Sequence, residues 1–268
     1  MKKNYVVETI RKAQMVQLLA GGKRMDERAL DQPRPLKIET GLIQKANGSA
    51  RVTLGNTQVI AGVKIATGIP FPDTPDKGLL VVNAEILPMA SPYAEPGPPS
   101  EEAIELARVV DRGIRESEMV DLTKLCLIPG KSVVTVFVDC NVMNVDGNLF
   151  DATSYAVVAA LGTSKMKKYL VKEDKIEPTE EWVPVPVERT PVSVTLARIG
   201  DKLVVDPSTE EEAAMDMRIT ITTDDGGNIC ATQKGEASTI SPAQVLQAVD
   251  TSIRVGKEIR VQIKEATK

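Results

Sequence analysis

One stretch near the middle of the chain constrains the fold more than any other. Residues 133–145 read VVTVFVDCNVMNV, a β-rich apolar run, and Asp146-Gly147-Asn148 supplies a tight turn directly after it. A helix of small residues is predicted from about Asp151. In such a junction, unpaired backbone N–H groups converge with the positive end of the helix dipole. The junction, residues 146–151, is therefore predicted to be able to bind an anion, and we call it the anion corner.

Strands followed by a helix occur twice along the chain. In the first half, alternating strands joined at Gly55-Asn56 precede a helix with Ser100 as its N-cap. In the second half, hairpin turns at Gly200-Asp201 and at residues 224–227 precede a helix that begins at Ser241-Pro242. This pattern predicts an α+β fold of two pseudo-repeated βαβ-like halves, in which mixed sheets pack against helices.

The domain boundaries follow from changes in composition along the 268 residues. Residues 1–30 are interpreted as an N-terminal helix and a polar arm, and residues 31–165 as the first half of the domain. Residues 166–189 are charged and then proline-rich, and are interpreted as a linker. Residues 190–268 form the second half.

The complete absence of histidine excludes several classes of function. Ser-His-Asp and Cys-His nucleophiles, His-containing zinc sites and a histidine general base are all ruled out. Three separated cysteines favour free thiols in a reducing cytoplasm, which is the expected location. No apolar run approaches the ~20 residues of a membrane helix, and no nucleotide fingerprint occurs, so neither a membrane partner nor a cofactor nor a metal is expected.

Three arginines lie at helical spacing in the helix that follows Ser100. Arg112 and Arg115 share nearly one face, and Arg108 lies one turn before Arg112. The neighbouring carboxylates that could pair with them belong to Glu105, Asp111, Glu116 and Glu118. Two interpretations are open: a solvated, charge-paired face, or a strip that contacts phosphates through the guanidinium fork. We call the three residues the arginine strip.

Two other acidic features have a structural and a chemical interpretation. Glu210-Glu211-Glu212 and Asp216 could hold Mg²⁺ or supply a general acid. A solvated acidic loop, followed by an aspartate that opens a strand, is the favoured interpretation. Asp151 is interpreted as the N-cap of the central helix.

The N-terminal segment carries a family resemblance. Residues 22–64 contain Arg24-x-Asp26-x-Arg28, then Gly-Ser at 48–49 and Gly-x-Thr-x-Val at 55–59. These motifs, in this order, resemble the N-terminal signature of the RNase PH family, and the resemblance extends over nearly the whole chain. Within that family, the run EPGPPSEEAIELARVVDRGIRES and the turn DGNLFDA are most similar to non-catalytic ring subunits of the archaeal exosome.

The resemblance implies an RNase PH-type fold and a role in an assembly. Such subunits alternate with catalytic RNase PH-like subunits in a hexameric ring, a trimer of heterodimers, which degrades RNA from its 3′ end with phosphate. RNA-binding cap subunits and RNA itself are the further partners implied. The subunit is expected to have no catalytic residues of its own and to contribute to RNA binding. We chose Arg112 and Arg115 as its RNA-binding residues.

The anion corner departs from the pattern of the catalytic members. Their turn resembles Asp-Gly-Gly-Thr-Arg, in which the hydroxyl and the guanidinium bind phosphate. Here Asn148, Leu149 and Phe150 end the turn, so Leu149 replaces the hydroxyl and Phe150 replaces the arginine. Glu210 stands in the place of the family's catalytic aspartate. Residues 148–150 are therefore interpreted as a degenerate phosphate site.

Two alternative functions remain open at this stage. One is a phosphate-dependent 3′-to-5′ exoribonuclease that is active on its own as a homohexamer. The other is a stand-alone α/β enzyme acting on a small molecule, which would have a deep pocket and no affinity for a catalytic homologue.

Overall fold

The fold is that of a computed structural model that describes residues 5–92, 94–172 and 175–268. Residues 1–4 of the predicted N-terminal helix and 173–174 of the predicted linker lie outside the described residues. The helices are α1 (Tyr5–Ala20), α2 (Glu101–Glu116), α3 (Leu149–Gly162), α4 (Thr209–Ala214) and α5 (Pro242–Ala266). The strands are β1 (Leu36–Thr40), β2 (Gly48–Leu54), β3 (Thr57–Gly68), β4 (Leu79–Ile86), β5 (Cys126–Ile128), β6 (Ser132–Asn144), β7 (Lys165–Lys172), β8 (Lys175–Pro184), β9 (Val192–Ile199), β10 (Lys202–Val205), β11 (Met217–Thr223) and β12 (Ile229–Gly235).

The first half forms a mixed sheet in the order β1-β2-β3-β6-β4, and β5 pairs with β6. β4 runs parallel to β6, whereas the other pairs are antiparallel. The β2–β3 hairpin turns at Gly55, whose φ of 59° suits a residue without a side chain. β6 is the longest strand and pairs with β3, β4 and β5, so it fixes the position of the anion corner that follows it.

The second half forms an antiparallel sheet in the order β10-β9-β11-β12. Both predicted hairpins are present: β9 and β10 turn at Gly200-Asp201, and β11 and β12 turn at residues 224–227. β9 and β11 lie at the centre of this sheet and are buried along almost their whole length. The α+β prediction of two halves, each built of strands and helices, is confirmed.

The helix α3 lies between the two sheets. It packs against β2, β3 and β6 on one side and β9 on the other, and it is buried all round. Alanines at 152, 156, 159 and 160 let the strands approach closely, which a helix of larger residues would prevent. Its hydroxyl-bearing Tyr155 donates to the Ser193 carbonyl at 2.9 Å, so the buried polar atom is satisfied.

The two flanking helices begin where the sequence predicted. Ser100 caps α2 and Ser241 caps α5, and each side chain accepts a backbone N–H from the first turn. α2 packs between β4 of the first sheet and β12 of the second, and α5 packs against β9 and β11. Among the helices that the structure describes, none has the length and apolar character needed to cross a membrane.

Three segments differ from the sequence-based expectations. α3 begins at Leu149, before the predicted start at Asp151. Residues 210–212, expected in a solvated loop, lie in the helix α4, because Ser208 and Glu211 make a reciprocal capping box. Residues 165–172 and 175–184, which cover most of the segment interpreted as a linker, form the paired antiparallel strands β7 and β8. The division of the chain at 166–189 stays a prediction.

Candidate functional site

The N-cap of α3 is Asn148, and the expectation that Asp151 takes this role is wrong. Asn148 adopts the left-handed conformation (φ 49°, ψ 54°), and its side-chain oxygen accepts the Asp151 N–H. Asparagine tolerates this conformation better than most residues do. Asp151 is instead the third residue of α3, and its buried carboxylate accepts hydrogen bonds from the Thr195 N–H at 2.9 Å and the Thr195 hydroxyl at 2.8 Å.

Gly147 brings the anion corner into contact with the segment before α4. Its φ is 80°, and a Cβ at this position would lie 2.5 Å from the Pro207 carbonyl oxygen and 2.7 Å from the Thr209 nitrogen. Only glycine fits such a close approach of two backbones. The first turn of α4 is therefore held directly against the corner.

A carboxylate from α4 occupies the corner. The Asn148 N–H donates to Glu212 Oε1 at 2.8 Å. Burial raises the pKa of Glu212 to about 7, although this hydrogen bond and the charge of Arg218 favour the ionised form. The position at the helix N-terminus where an external anion would bind thus already holds a carboxyl group of the chain itself.

The two residues that replace the family's phosphate-binding side chains are buried. Leu149 and Phe150 are each 6% exposed. The Arg218 guanidinium carbon lies 4.0 Å from the centre of the Phe150 ring, in a cation–π arrangement. Arg218 also donates to Glu105 Oε1 at 2.8 Å. The structure therefore brings Asn148, Leu149 and Phe150 together at the corner, where Phe150 is already engaged with a cation of the chain.

Sequence reasoning missed a buried ionic network beside the corner. Asp206 accepts from the Arg34 backbone N–H at 2.7 Å, from Arg34 Nε at 2.9 Å and from Arg34 Nη2 at 2.8 Å. Asn148 Nδ2 donates to both Asp206 and Asp151. Burial opposes the charge of Asp206, but the Arg34 hydrogen bonds outweigh it and lower the pKa of this carboxyl.

The Arg-x-Asp-x-Arg motif is part of the same network. Arg24 forms a bidentate pair with Glu211 at 2.8 and 2.5 Å, and both side chains are buried. Arg28 reaches Asp206 Oδ2 at 3.2 Å. The motif was the available signal for this network, because two of its three residues, Arg24 and Arg28, bind the buried carboxylates. The partners themselves lie about 180 residues away and could not be read from local pattern.

The predicted acidic cluster is divided among separate structural roles. Glu210 is exposed, Glu211 pairs with Arg24, and Glu212 accepts from the corner. Asp216 accepts from Lys12 at 2.7 Å and from the Gly200 N–H at 2.8 Å. Within residues 5–92, 94–172 and 175–268, no group of three or more Cys, Asp or Glu residues is arranged to hold a metal ion. The cluster is therefore not a solvated loop, because two of its carboxylates bind partners inside the protein.

The arginine strip lines a groove of about 380 Å³ between α2 and β4. Arg115 is bound on both sides, by Asp111 at 2.8 Å and by the Leu80 carbonyl at 2.8 Å. Arg112 is exposed and donates to Gln233 Oε1 at 3.1 Å. Arg108 is exposed and has no hydrogen bond or ion pair to any described part of the chain. Arg115 is thus charge-paired and Arg108 is free, and contact of the strip with phosphates stays a prediction.

A cleft of about 710 Å³ lies beside the corner, between the end of β4, the proline-rich loop and the start of α2. Val145 and Thr209, which flank the corner, line one wall. The charged residues that line the cleft are Glu85, Glu95 and Glu102, so its electrostatic potential disfavours polyanions.

Comparison with known proteins gives consistent matches over both halves. The family described as 3′ exoribonuclease family, domain 1, matches residues 32–167, and domain 2 of the same family matches residues 189–255. The chain is 50% identical to the exosome complex component Rrp42 of Pyrococcus horikoshii, over 100% of this chain and 98% of that protein. A chain of the Archaeoglobus fulgidus exosome with RNA bound to the active site superimposes with a TM-score of 0.87 at 43% identity, covering 96% of this chain and 99% of that one. A chain of an archaeal exosome core gives a TM-score of 0.85 at 41% identity, covering 97% and 98%.

Proposed function

The chain belongs to the RNase PH family of 3′ exoribonucleases and has its fold, and we propose that it is a non-catalytic subunit of an archaeal exosome ring. In this proposal, a paired catalytic RNase PH-like subunit degrades RNA from the 3′ end with phosphate, and the present chain completes the ring and contributes to RNA binding. Support comes from relatives that carry the name exosome complex component Rrp42 and align over the full chain.

One observation carries the non-catalytic part of the proposal. The Asn148 N–H, at the place where phosphate would meet the N-terminus of α3, donates to the chain's own Glu212 carboxylate. The buried Phe150 stands in place of an arginine. Removing a charge-assisted guanidinium–phosphate hydrogen bond costs ~1.5–3 kcal/mol of binding free energy. A corner without that guanidinium, and already holding the chain's own carboxyl group, is a poor site for the attacking phosphate.

The partners proposed follow from ring assembly. The chain alternates with the catalytic subunit in a hexameric trimer of heterodimers, RNA-binding cap subunits dock on the ring, and the assembly works in the cytoplasm. RNA runs along the arginine strip, where Arg112 and Arg115 contact its phosphates. Arg108, whose guanidinium is free, lies one helical turn from Arg112 and lines the same groove. It contacts the RNA phosphates together with Arg112 and Arg115.

The first test is reconstitution. The purified chain should release no nucleoside diphosphate from poly(A) in the presence of phosphate. Mixing it with a catalytic RNase PH-like homologue from the same organism should give a discrete hexamer with phosphorolytic activity, measured by native mass spectrometry and product chromatography. Phosphorolysis by the chain alone would instead support the active homohexamer. A stable monomer that ignores the homologue would favour a stand-alone enzyme.

The second test addresses the arginine strip in the assembled ring. Arg112→Glu combined with Arg115→Glu should weaken RNA binding by about tenfold or more. The slope of log affinity against log salt should become shallower by about 0.7 for each RNA phosphate that the variant ring no longer neutralises. Arg254→Glu is the matched control, because Arg254 is an exposed arginine on α5 that pairs with Asp31. Equal RNA affinity in the strip variant and the wild-type ring would reject the assignment.

A further inference from the structure

Two positive groups of the chain act on the carboxylate of Glu212. The first is the N-terminus of α3, whose leading N–H groups have no acceptor within the helix and which carries the positive end of the dipole. Its Asn148 N–H lies 2.8 Å from Glu212 Oε1. The second is the Arg218 guanidinium, whose positive charge stabilises the ionised form of Glu212 against the effect of burial.

Arg218 retains an unused hydrogen-bond donor next to the corner. The residue is 9% exposed, its Nη2 binds Glu105, and its guanidinium lies over Phe150. Its Nε is buried and has no hydrogen-bond partner among the described residues. A buried guanidinium with a free N–H is a common donor to oxyanions. The corner therefore keeps the donors for an anion although it lacks the family's phosphate-binding side chains.

We propose that Glu212 is a built-in occupant of the anion corner, an internal carboxylate that takes the place of inorganic phosphate and keeps phosphate out. This inference rests on the proposed function, since it supplies the physical reason why this subunit has no phosphate site of its own. The carboxylate excludes a tetrahedral oxyanion by accepting the Asn148 N–H, by filling the space beside it and by like-charge repulsion. Three glutamates that line the adjoining cleft, Glu85, Glu95 and Glu102, repel an approaching phosphate further.

The position of α4 makes this occupancy permanent rather than transient. The backbone of residues 207–209 lies against Gly147 so closely that a Cβ would not fit between them. The buried pair of Arg24 with Glu211 fixes the neighbouring residue of the same helix. Glu212 is thus positioned at the corner by α4, whose first residues pack against Gly147 and whose third residue, Glu211, is bound by Arg24.

Glu212→Ala removes both the charge and the bulk of the occupant, whereas Glu212→Gln keeps the size and an oxygen that can accept the Asn148 N–H. Phosphate binding is measured at about pH 8, where Glu212 is ionised, by calorimetric titration and by the shift of the melting temperature in phosphate against chloride at equal ionic strength. We expect no saturable phosphate binding by the wild-type chain. Glu212→Ala should bind phosphate saturably, at least about tenfold more tightly than any residual binding by the wild type, and Glu212→Gln should stay near the wild type.

Glu210→Ala is the control, because it removes one exposed carboxylate from the same helix and should not create a phosphate site. Gain of binding in both alanine variants would overturn the proposal, since net charge alone would then explain it. A folded Glu212→Ala variant that does not bind phosphate would also overturn it.

A test on the unmodified chain does not depend on the fold of a variant. The amide resonances of Asn148, Leu149 and Phe150 should not move when phosphate is added to the wild type, and a saturable shift would contradict the proposal. A phosphate-induced shift would contradict the role of Glu212 without deciding the proposed function. The reconstitution experiment tests that function separately, because it measures assembly and RNA degradation and not phosphate binding by this chain.

Discussion

At the scale of single residues, the sequence revealed what the corner lacks but not what fills it. Leu149 and Phe150 have no phosphate donors in their side chains, and this follows from residue type alone. The choice of Asn148 over Asp151 as N-cap did not follow, because both are good caps. Thr195, which lies 44 positions away, determines the outcome because it donates hydrogen bonds to both carboxylate oxygens of Asp151. A pairing of that range leaves no local pattern.

Asp151→Asn should remove the loss in the free energy of unfolding that the wild type undergoes as the pH rises from about 4 to about 7. Burial raises the pKa of Asp151 to about 7, against an ordinary value of 3.8. The native state therefore holds this proton more tightly than the unfolded state does. Its stabilising effect is complete below about pH 4 and is lost as the pH rises through about 7. The asparagine cannot ionise, and its amide can donate to Thr195 Oγ1, which can in turn donate to Thr220.

The free energy of unfolding of Asp151→Asn minus that of the wild type should accordingly rise between about pH 4 and pH 7. The slope should reach at most about 1.4 kcal/mol per pH unit. Urea denaturation at several pH values measures it. Asp250→Asn, at an exposed position of α5, serves as the control and should show no such trend. A difference that stays flat or falls with pH would contradict the assignment.

At the scale of elements, hairpins and long helices followed from their turns and caps, and the missed elements depend on distant partners. The short helix α4 has a capping box, but its Glu211 is buried only because Arg24 pairs with it. The paired strands β7 and β8 arise in a charged segment whose ion pairs run across the strands, such as Lys168 with Glu181. A flexible linker and an exposed pair of strands with cross-strand ion pairs have the same charged composition, so the sequence does not distinguish them.

The helix α5 offers a test of close packing at this scale. Gly256 lies inside a continuous helix, and a Cβ there would lie 3.1 Å from the Thr223 hydroxyl oxygen. Arg260 donates to the same hydroxyl, so Thr223 cannot easily move away. Gly256→Val should therefore destabilise the protein by about 1–3 kcal/mol, in spite of the poor helix propensity of glycine. Chemical denaturation of this variant measures the effect.

Lys257→Val provides the comparison for Gly256→Val. It places the same β-branched side chain at the next position of α5, which is exposed. Its cost should stay within about 0.5 kcal/mol. Equal stability of the two valine variants would show that helix propensity, and not the packing against Thr223, decides the tolerance at 256.

At the scale of the whole molecule, two buried arginines that precede β1 join the first part of the chain to the second half. Arg24 and Arg34 come before the first sheet, whereas Glu211 and Asp206 follow the strands β9 and β10 of the second sheet. The two-half architecture could be predicted from the repeated order of strands and helices. The joint between the halves could not, because each pair links positions more than 170 residues apart.

Arg34→Met tests this joint. It leaves the Asp206 carboxylate buried with fewer donors, and removal of one partner of a buried pair costs about 3–5 kcal/mol of the free energy of unfolding. The half-buried pair of Arg51 with Glu39 is the matched comparison, and Arg51→Met should cost no more than about 1 kcal/mol. Urea denaturation near pH 7 measures both losses. Similar losses for the two variants would mean that Arg34 does not join the first part of the chain to the second half.

The same variant has a pH signature with a fixed sign. Arg34 lowers the pKa of Asp206 below its ordinary 3.8, so the pair stabilises the native state above about pH 4. This contribution is lost as the pH falls through the lowered pKa of the folded protein. In Arg34→Met, burial acts on Asp206 without that guanidinium, and the carboxyl takes up a proton at higher pH. The gap in stability between wild type and variant should therefore be largest near pH 7 and should shrink at acid pH. A gap that widens on acidification would show that Arg34 contributes through packing of its side chain rather than through the charge of Asp206.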